Sequence, residues 1–265
     1  MNDAERPAFG AVEVLEIASK FEADDDAFII GGQATNFWAW FYQDDDPEQL
    51  KLKGPFTSED IDYFGSQEVA RSLADALGGK LLLPVKDHHT PTTAIIETTI
   101  HGKPLQIDFL GGMLGVRDRE IRRGVSVLEV EGDIEGKPTI VLIKVLHPVL
   151  CLKSRIINIL SPATRRTDRI ARAQAEAAIA VVRCHINRVL NEDGGRKEAR
   201  DCFATLYWYL RSDEHVRLAD VKLGLDPLDT IRSFADDKRI DVRYRELQLK
   251  KIIANIERRR SRRRP

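Results

Sequence analysis

"GPFTSEDIDYFGS", residues 54–66, sets Asp60 and Asp62 one residue apart among Ile61, Tyr63 and Phe64. The apolar residues favour a strand, where acids normally weaken pairing. On a strand, residues i and i+2 point to the same face, so the two carboxylates lie side by side. Neighbouring carboxylates repel unless a proton or a cation sits between them. A hard divalent ion such as Mg²⁺ or Mn²⁺ takes oxygen ligands, commonly one or two carboxylates together with phosphate oxygens. Such a site calls for a third acid and a phosphate cradle elsewhere in the chain.

Both have candidates. "PLQIDFL" (104–110) places Asp108 inside an apolar run, where an isolated charge is costly and a shared cation would relieve it. "FIIGG" (28–32) runs directly into a helical pattern from Gln33. Glycines at a strand-to-helix junction let a ligand approach the backbone, and a helix N-terminus favours phosphate. Taken singly, a Gly-Gly turn is usually only a turn, and an Asp-x-Asp pair is often only surface. Their order along the chain gives them weight.

The first half mixes strand and helix signals. "GAVEVLEIASKF" (10–21) is helical, with Val12, Leu15, Ile17 and Phe21 near one face. "QATNFWAWFYQ" (33–43) reads as a helix and "QDDDPEQLKLKGP" (43–55) as a polar insertion. "SQEVARSLADALGG" (66–79) is a helix with Ser66 as N-cap and Gly78 as stop. "KLLLPV" (80–85), "TAIIETTI" (93–100) and "PLQIDFL" read as strands, the last two joined by the turn "HGK". "SVLEVEGD" and "TIVLIKVL" form a second hairpin around "IEGKP" (134–138). After His147-Pro148 the patterns are helical: 149–160, 169–190, 197–212, 227–235 and 245–260. The chain is therefore expected to be α+β, with a mixed-sheet core over 1–146, a helical domain over 147–257 and a basic, disordered tail over 258–265.

The 265 residues are 43% hydrophobic and 31% charged, within the range of soluble proteins. No apolar run approaches the roughly 20 residues that span a bilayer, and the polar N-terminus does not read as a secretory signal. No membrane partner is expected. Cys151, Cys184 and Cys202 are odd in number and lie in helical patterns, which suits reduced core thiols and a cytoplasmic setting. Charge is polarised: residues 1–60 carry 14 acids against 4 bases, and residues 241–265 carry 10 bases against 3 acids. "ERRRSRRRP" at the end can attract phosphate backbones or serve only as a solvated tail. Trp38 and Trp40 diverge by about 200° on a helix, so at least one belongs to the core rather than to a base-stacking site. His88-His89 lacks the companions a metal site needs.

A strand ending in Gly-Gly, a helix, then Asp-hydrophobic-Asp and a later third acid resembles the DNA polymerase beta-type nucleotidyltransferases. "IIGGQA" (29–34) and "FTSEDIDYF" (56–64) are similar to the AbiEii-like abortive-infection toxin branch. The resemblance covers roughly residues 10–160. It implies a nucleotidyltransferase-type sheet and a site facing the helical domain. Gly31 and Gly32 would hold triphosphate oxygens, with Thr57 and Ser58 in the nucleotide site. Asp60 and Asp62 would bind two metal ions, and Asp108 would complete the second site and act as base. Lys153 would reach the triphosphate, although its place in the sequence equally suits an exposed helix residue; Arg165, Arg166 and Arg169 follow in a polar segment and either line the same site or are simply solvated. The implied reaction moves a nucleoside monophosphate from NTP to an acceptor hydroxyl and releases pyrophosphate; a tRNA end, a protein hydroxyl and an antibiotic hydroxyl are all open as the acceptor. The branch also implies a toxin with an antitoxin partner. The chain departs from the pattern at Gln33, where relatives have Ser or Thr, and in the length of the 43–55 insertion. Two rival expectations are an inactive nucleotide-binding regulator and an RNA-binding module that works through the basic tail.

Overall fold

A computed structural model of the chain describes residues 9–54, 56–57, 60–84, 91–134, 136–161 and 169–261. The chain divides into two compact units, one of residues 1–41 and 54–154, the other of 42–53 and 155–265. Among the described residues no helix is long and apolar enough to cross a membrane.

The first unit is mixed α and β. Its strands are β1 (Phe28–Ile29), β2 (Asp60–Phe64), β3 (Lys80–Leu82), β4 (Thr92–Ile100), β5 (Lys103–Leu110), β6 (Val125–Ile134) and β7 (Lys137–Leu146). They form one mixed sheet in the order β3-β4-β5-β2-β1-β7-β6. β2 pairs parallel with β5 and β1 parallel with β7, while the β4/β5 and β6/β7 hairpins are antiparallel. Between β4 and β5, His101 and Gly102 have φ of 51° and 76°. Two consecutive positive φ values make the turn whose twist matches the flanking strands.

Helices α1 (Ala11–Ala18), α2 (Gly31–Phe41), α3 (Gln67–Leu77) and α4 (Asp118–Arg123) flank the sheet. α1 contacts β6, β7 and α2, and its Val14, Leu15 and Ile17 are buried. Val12, expected on that face, is exposed, and Phe21 lies beyond the helix end. α2 begins at Gly31 rather than Gln33, so both glycines belong to its first turn. Trp38 is a core residue whose Nε1 donates to the Leu146 carbonyl at 2.8 Å. α3 buries Ala70, Leu73 and Ala74 and ends at Gly78 in a left-handed conformation. Its N-cap is Ser66, whose Oγ accepts from the Val69 amide at 3.3 Å.

α5 (Pro148–Leu160) carries the chain into the second unit, which continues with α6 (Arg169–Asn191), α7 (Arg196–Ser212), α8 (Glu214–Leu223), α9 (Asp229–Arg232), α10 (Val242–Tyr244) and α11 (Lys250–Ser261). α10, a π-helical stretch over Arg245–Leu249 and α11 follow one another without a break, so the helix expected over 245–260 is present, with wider winding in its first five residues. The segment read as an insertion belongs to this unit: Asp46 accepts from Arg183 of α6 at 3.0 Å, Arg183 also bonds Asp229, and Leu50 is buried. Of the tail expected over 258–265, Arg258, Arg259, Arg260 and Ser261 continue α11, and 262–265 lie outside the described residues. Arg260 supplies a reason, since its Nη1 lies 2.7 Å from Asp226. Cys151, Cys184 and Cys202 are buried thiols.

Replacing Ser66 by Ala removes the cap of α3 and should cost about 1 kcal/mol, measured as a lower denaturation midpoint at unchanged m-value.

Candidate active site

The parallel pairing of β2 with β5 sets Asp60 opposite Gln106 and Asp62 opposite Asp108. Residues level across a parallel ladder share a face, so all four side chains point one way. Ile61, Tyr63, Ile107 and Phe109 take the other face and are buried there. The result is three half-buried carboxylates whose oxygens, one from each, lie within 4.8 Å of one another. Gln106 Nε2 donates to Asp108 Oδ1 at 2.8 Å. Burial is the main reason the Asp108 carboxyl is raised above its ordinary value; the charge of Asp60 adds to the rise and the Gln106 amide opposes it.

The first turn of α2 borders this cluster. The Ile30 amide donates to the Asp62 carbonyl at 2.9 Å, and the next residue, Gly31, has φ of 67°. A Cβ on Gly31 would stand 2.0 Å from Asp62 Oδ2 and 2.8 Å from its Cγ. The Asp62 carboxylate therefore occupies the space a side chain would fill at the start of an eleven-residue helix. The positive end of that helix offsets part of the repulsion among the acids. Gly32 is buried behind Gly31. Gln33 and Thr35 are also buried, and among the described residues Gln33 Nε2 and Thr35 Oγ1 have no hydrogen-bond partner. Gln33 Oε1 accepts from Asn36.

The remaining expected residues are placed differently. Thr57 is half-buried in the segment before β2. Ser58, Arg165, Arg166 and His88-His89 lie outside the described residues, and Arg169 is exposed at the start of α6. Lys153 is 17% exposed, with Nζ 3.1 and 3.0 Å from the two Glu120 carboxylate oxygens. Arg117 reaches the same carboxylate through Nε and its backbone amide, both at 3.0 Å. Burial works to raise the Glu120 pKa, but the hydrogen bonds from Arg117 and Lys153 outweigh it and hold the carboxyl at about 2. The Lys153 ammonium thus already has an anionic partner within the first unit.

Gln106 and Glu120 carried no signal in the sequence. A glutamine two residues before an acid is unremarkable until the strand register is known, and Glu120 matters only because α4 meets α5. Arg122 was likewise missed; its guanidinium lies 4.8 Å over the Phe64 ring and 3.3 Å from Asp26. No protein-family model matches the chain, and no curated protein or solved structure matches it significantly.

Gly31→Ala combines a left-handed backbone with a clash against Asp62 and should cost about 2 kcal/mol or more, read by denaturant melts. Glu120→Gln tests the ion pair. The folded pKa is depressed, so the carboxylate contributes stability above the unfolded value near 4.5, and loses it as pH falls through the folded one. Wild type should exceed the variant by about 1 kcal/mol at neutral pH, after allowing for solvent screening. The gap should close between about pH 5 and pH 2, seen in melts across that window.

Proposed function

We propose that the chain is a metal-dependent nucleotidyltransferase that moves a nucleoside monophosphate from NTP to an acceptor hydroxyl and releases pyrophosphate. One observation carries the reading: Asp60, Asp62 and Asp108 share one face of a sheet, with ligand oxygens within 4.8 Å, beside the glycine-initiated N-terminus of α2. The donor set is all oxygen and anionic, which fits Mg²⁺ or Mn²⁺ rather than a softer ion. The sequence resemblance to the polymerase beta-type superfamily supports the same roles and a nucleotidyltransferase-type sheet.

Asp60, Asp62 and Asp108 would hold the divalent ion, which would supply charge neutralisation at the phosphate and lower the pKa of a bound hydroxyl. The protein's own groups do the rest. Asp60 and Asp62 present carboxylates from alternate positions of one strand, and Gln106 fixes the rotamer of Asp108 so that one carboxylate oxygen stays directed. Asp108, with its raised pKa, is the acid best suited to take a proton from the acceptor. The N-terminal backbone amides of α2, beside the acids, are the donors best placed for triphosphate oxygens. Gln33 Nε2, buried in the same turn and without a hydrogen-bond partner among the described residues, is a further donor if the turn opens to a ligand. Lys153 would serve the triphosphate only by exchanging Glu120 for it.

Asp60→Asn or Asp62→Asn should lower transfer on the order of 10²–10³-fold or more while leaving the metal-free protein as stable as wild type or more so, because one repulsive charge is gone. Thermal melts with Mn²⁺ and each NTP, beside an assay for labelled acceptor in cell extract, provide the test. Wild type should gain about 2.7 kcal/mol at a hundredfold excess over Kd, and the variants little. Variants that melt far below a wild type indifferent to metal would reject the reading.

A further inference from the structure

On the second unit, Trp208 of α7 is 63% exposed although it is one of only three tryptophans. Beside it, the Arg211 guanidinium lies 5.7 Å from the Trp208 ring and 5.5 Å from that of Tyr207, whose hydroxyl accepts from Arg211 Nη1 at 2.8 Å. α11 ends at the same place: Arg259 Nη1 donates to the Arg211 carbonyl at 3.3 Å. Arg258 and Arg259 are exposed. Among the described residues, Arg211, Arg258 and Arg259 have no carboxylate partner. Arg260, the next residue along α11, is paired with Asp226, and Arg232 of α9 with Asp226 and Glu257.

We propose that this patch of α7 and α11 docks single-stranded nucleic acid, with a base stacked on Trp208 and phosphates on Arg211, Arg258 and Arg259. The partial negative charge of two helix C-termini accounts for a cation or two at the patch. It does not account for an indole left exposed beside the Arg211 guanidinium, with Arg259 bonded to the Arg211 carbonyl and Arg258 exposed next to it in sequence. A planar, cation-flanked aromatic is the recurring platform for unpaired bases. An acidic polypeptide would use the charges and leave the ring without a partner, and a duplex already stacks its bases on one another.

The test is fluorescence anisotropy of short labelled oligo(U) and oligo(dT) with the full chain, without NTP or divalent metal, at about 50 and about 200 mM salt. It is therefore independent of the transferase reading. Binding of either oligonucleotide is expected, falling with salt. Trp208→Ala should weaken it about tenfold at an unchanged salt slope, and Trp208→Phe should restore most of it. The double variant Arg258→Gln/Arg259→Gln should reduce the log–log salt slope by about 1.4. Melts of all variants should match wild type. The proposal is overturned if wild type binds neither strand at the lower salt, or if Trp208→Ala or the double arginine variant binds as wild type does. It is equally overturned if polyglutamate or a duplex of equal charge competes as well as oligo(U).

Discussion

Everything at the candidate site depends on the register between β2 and β5. The two strands are far apart in sequence, and a slip of one residue would send Asp108 to the opposite face, into the layer of Ile61, Tyr63 and Phe109. Those apolar residues enforce the register. Tyr63 and Phe109 stack with centroids 5.7 Å apart, and Phe21 adds a second ring at 4.9 Å from Tyr63. Packing on the buried face thus positions charge on the open one. Mutual repulsion of the acids works against their alignment.

That division of labour explains which parts could be read from the sequence. Asp60 and Asp62 were legible because period-two alternation is local, and Asp108 because an acid in an apolar run demands a partner. Their mutual distance was not, since it rests on a parallel pairing that no short window contains. Gln106 became meaningful only once Asp108 had a neighbour. The mixed α and β character was legible in the alternating patterns before residue 147 and the helical ones after it.

Elsewhere the misses have local causes. α4 spans six residues, too few for periodicity to show, and is held by an Arg117–Glu120 cap and by Lys153. α8 is polar on most of its surface, burying only Val216 and Ala219. The run "DDDPEQLKLK" reads as solvated because its one buried apolar residue is Leu50 and its ion-pair partner lies on α6. The terminal arginines read as a tail because like charges repel. The helix survives to Ser261 because Asp226 neutralises Arg260 and Arg232 together.

The Asp46–Arg183 contact also bears on how the polypeptide is made. Its two residues are separated by 137 positions. During synthesis the 42–53 segment leaves the ribosome between two portions of the sheet unit, long before the helix that will receive it. Neither unit can be released as one uninterrupted fragment by a single cut, so any attempt to express the sheet alone must bridge residues 41 and 54 rather than simply stop the chain at 154.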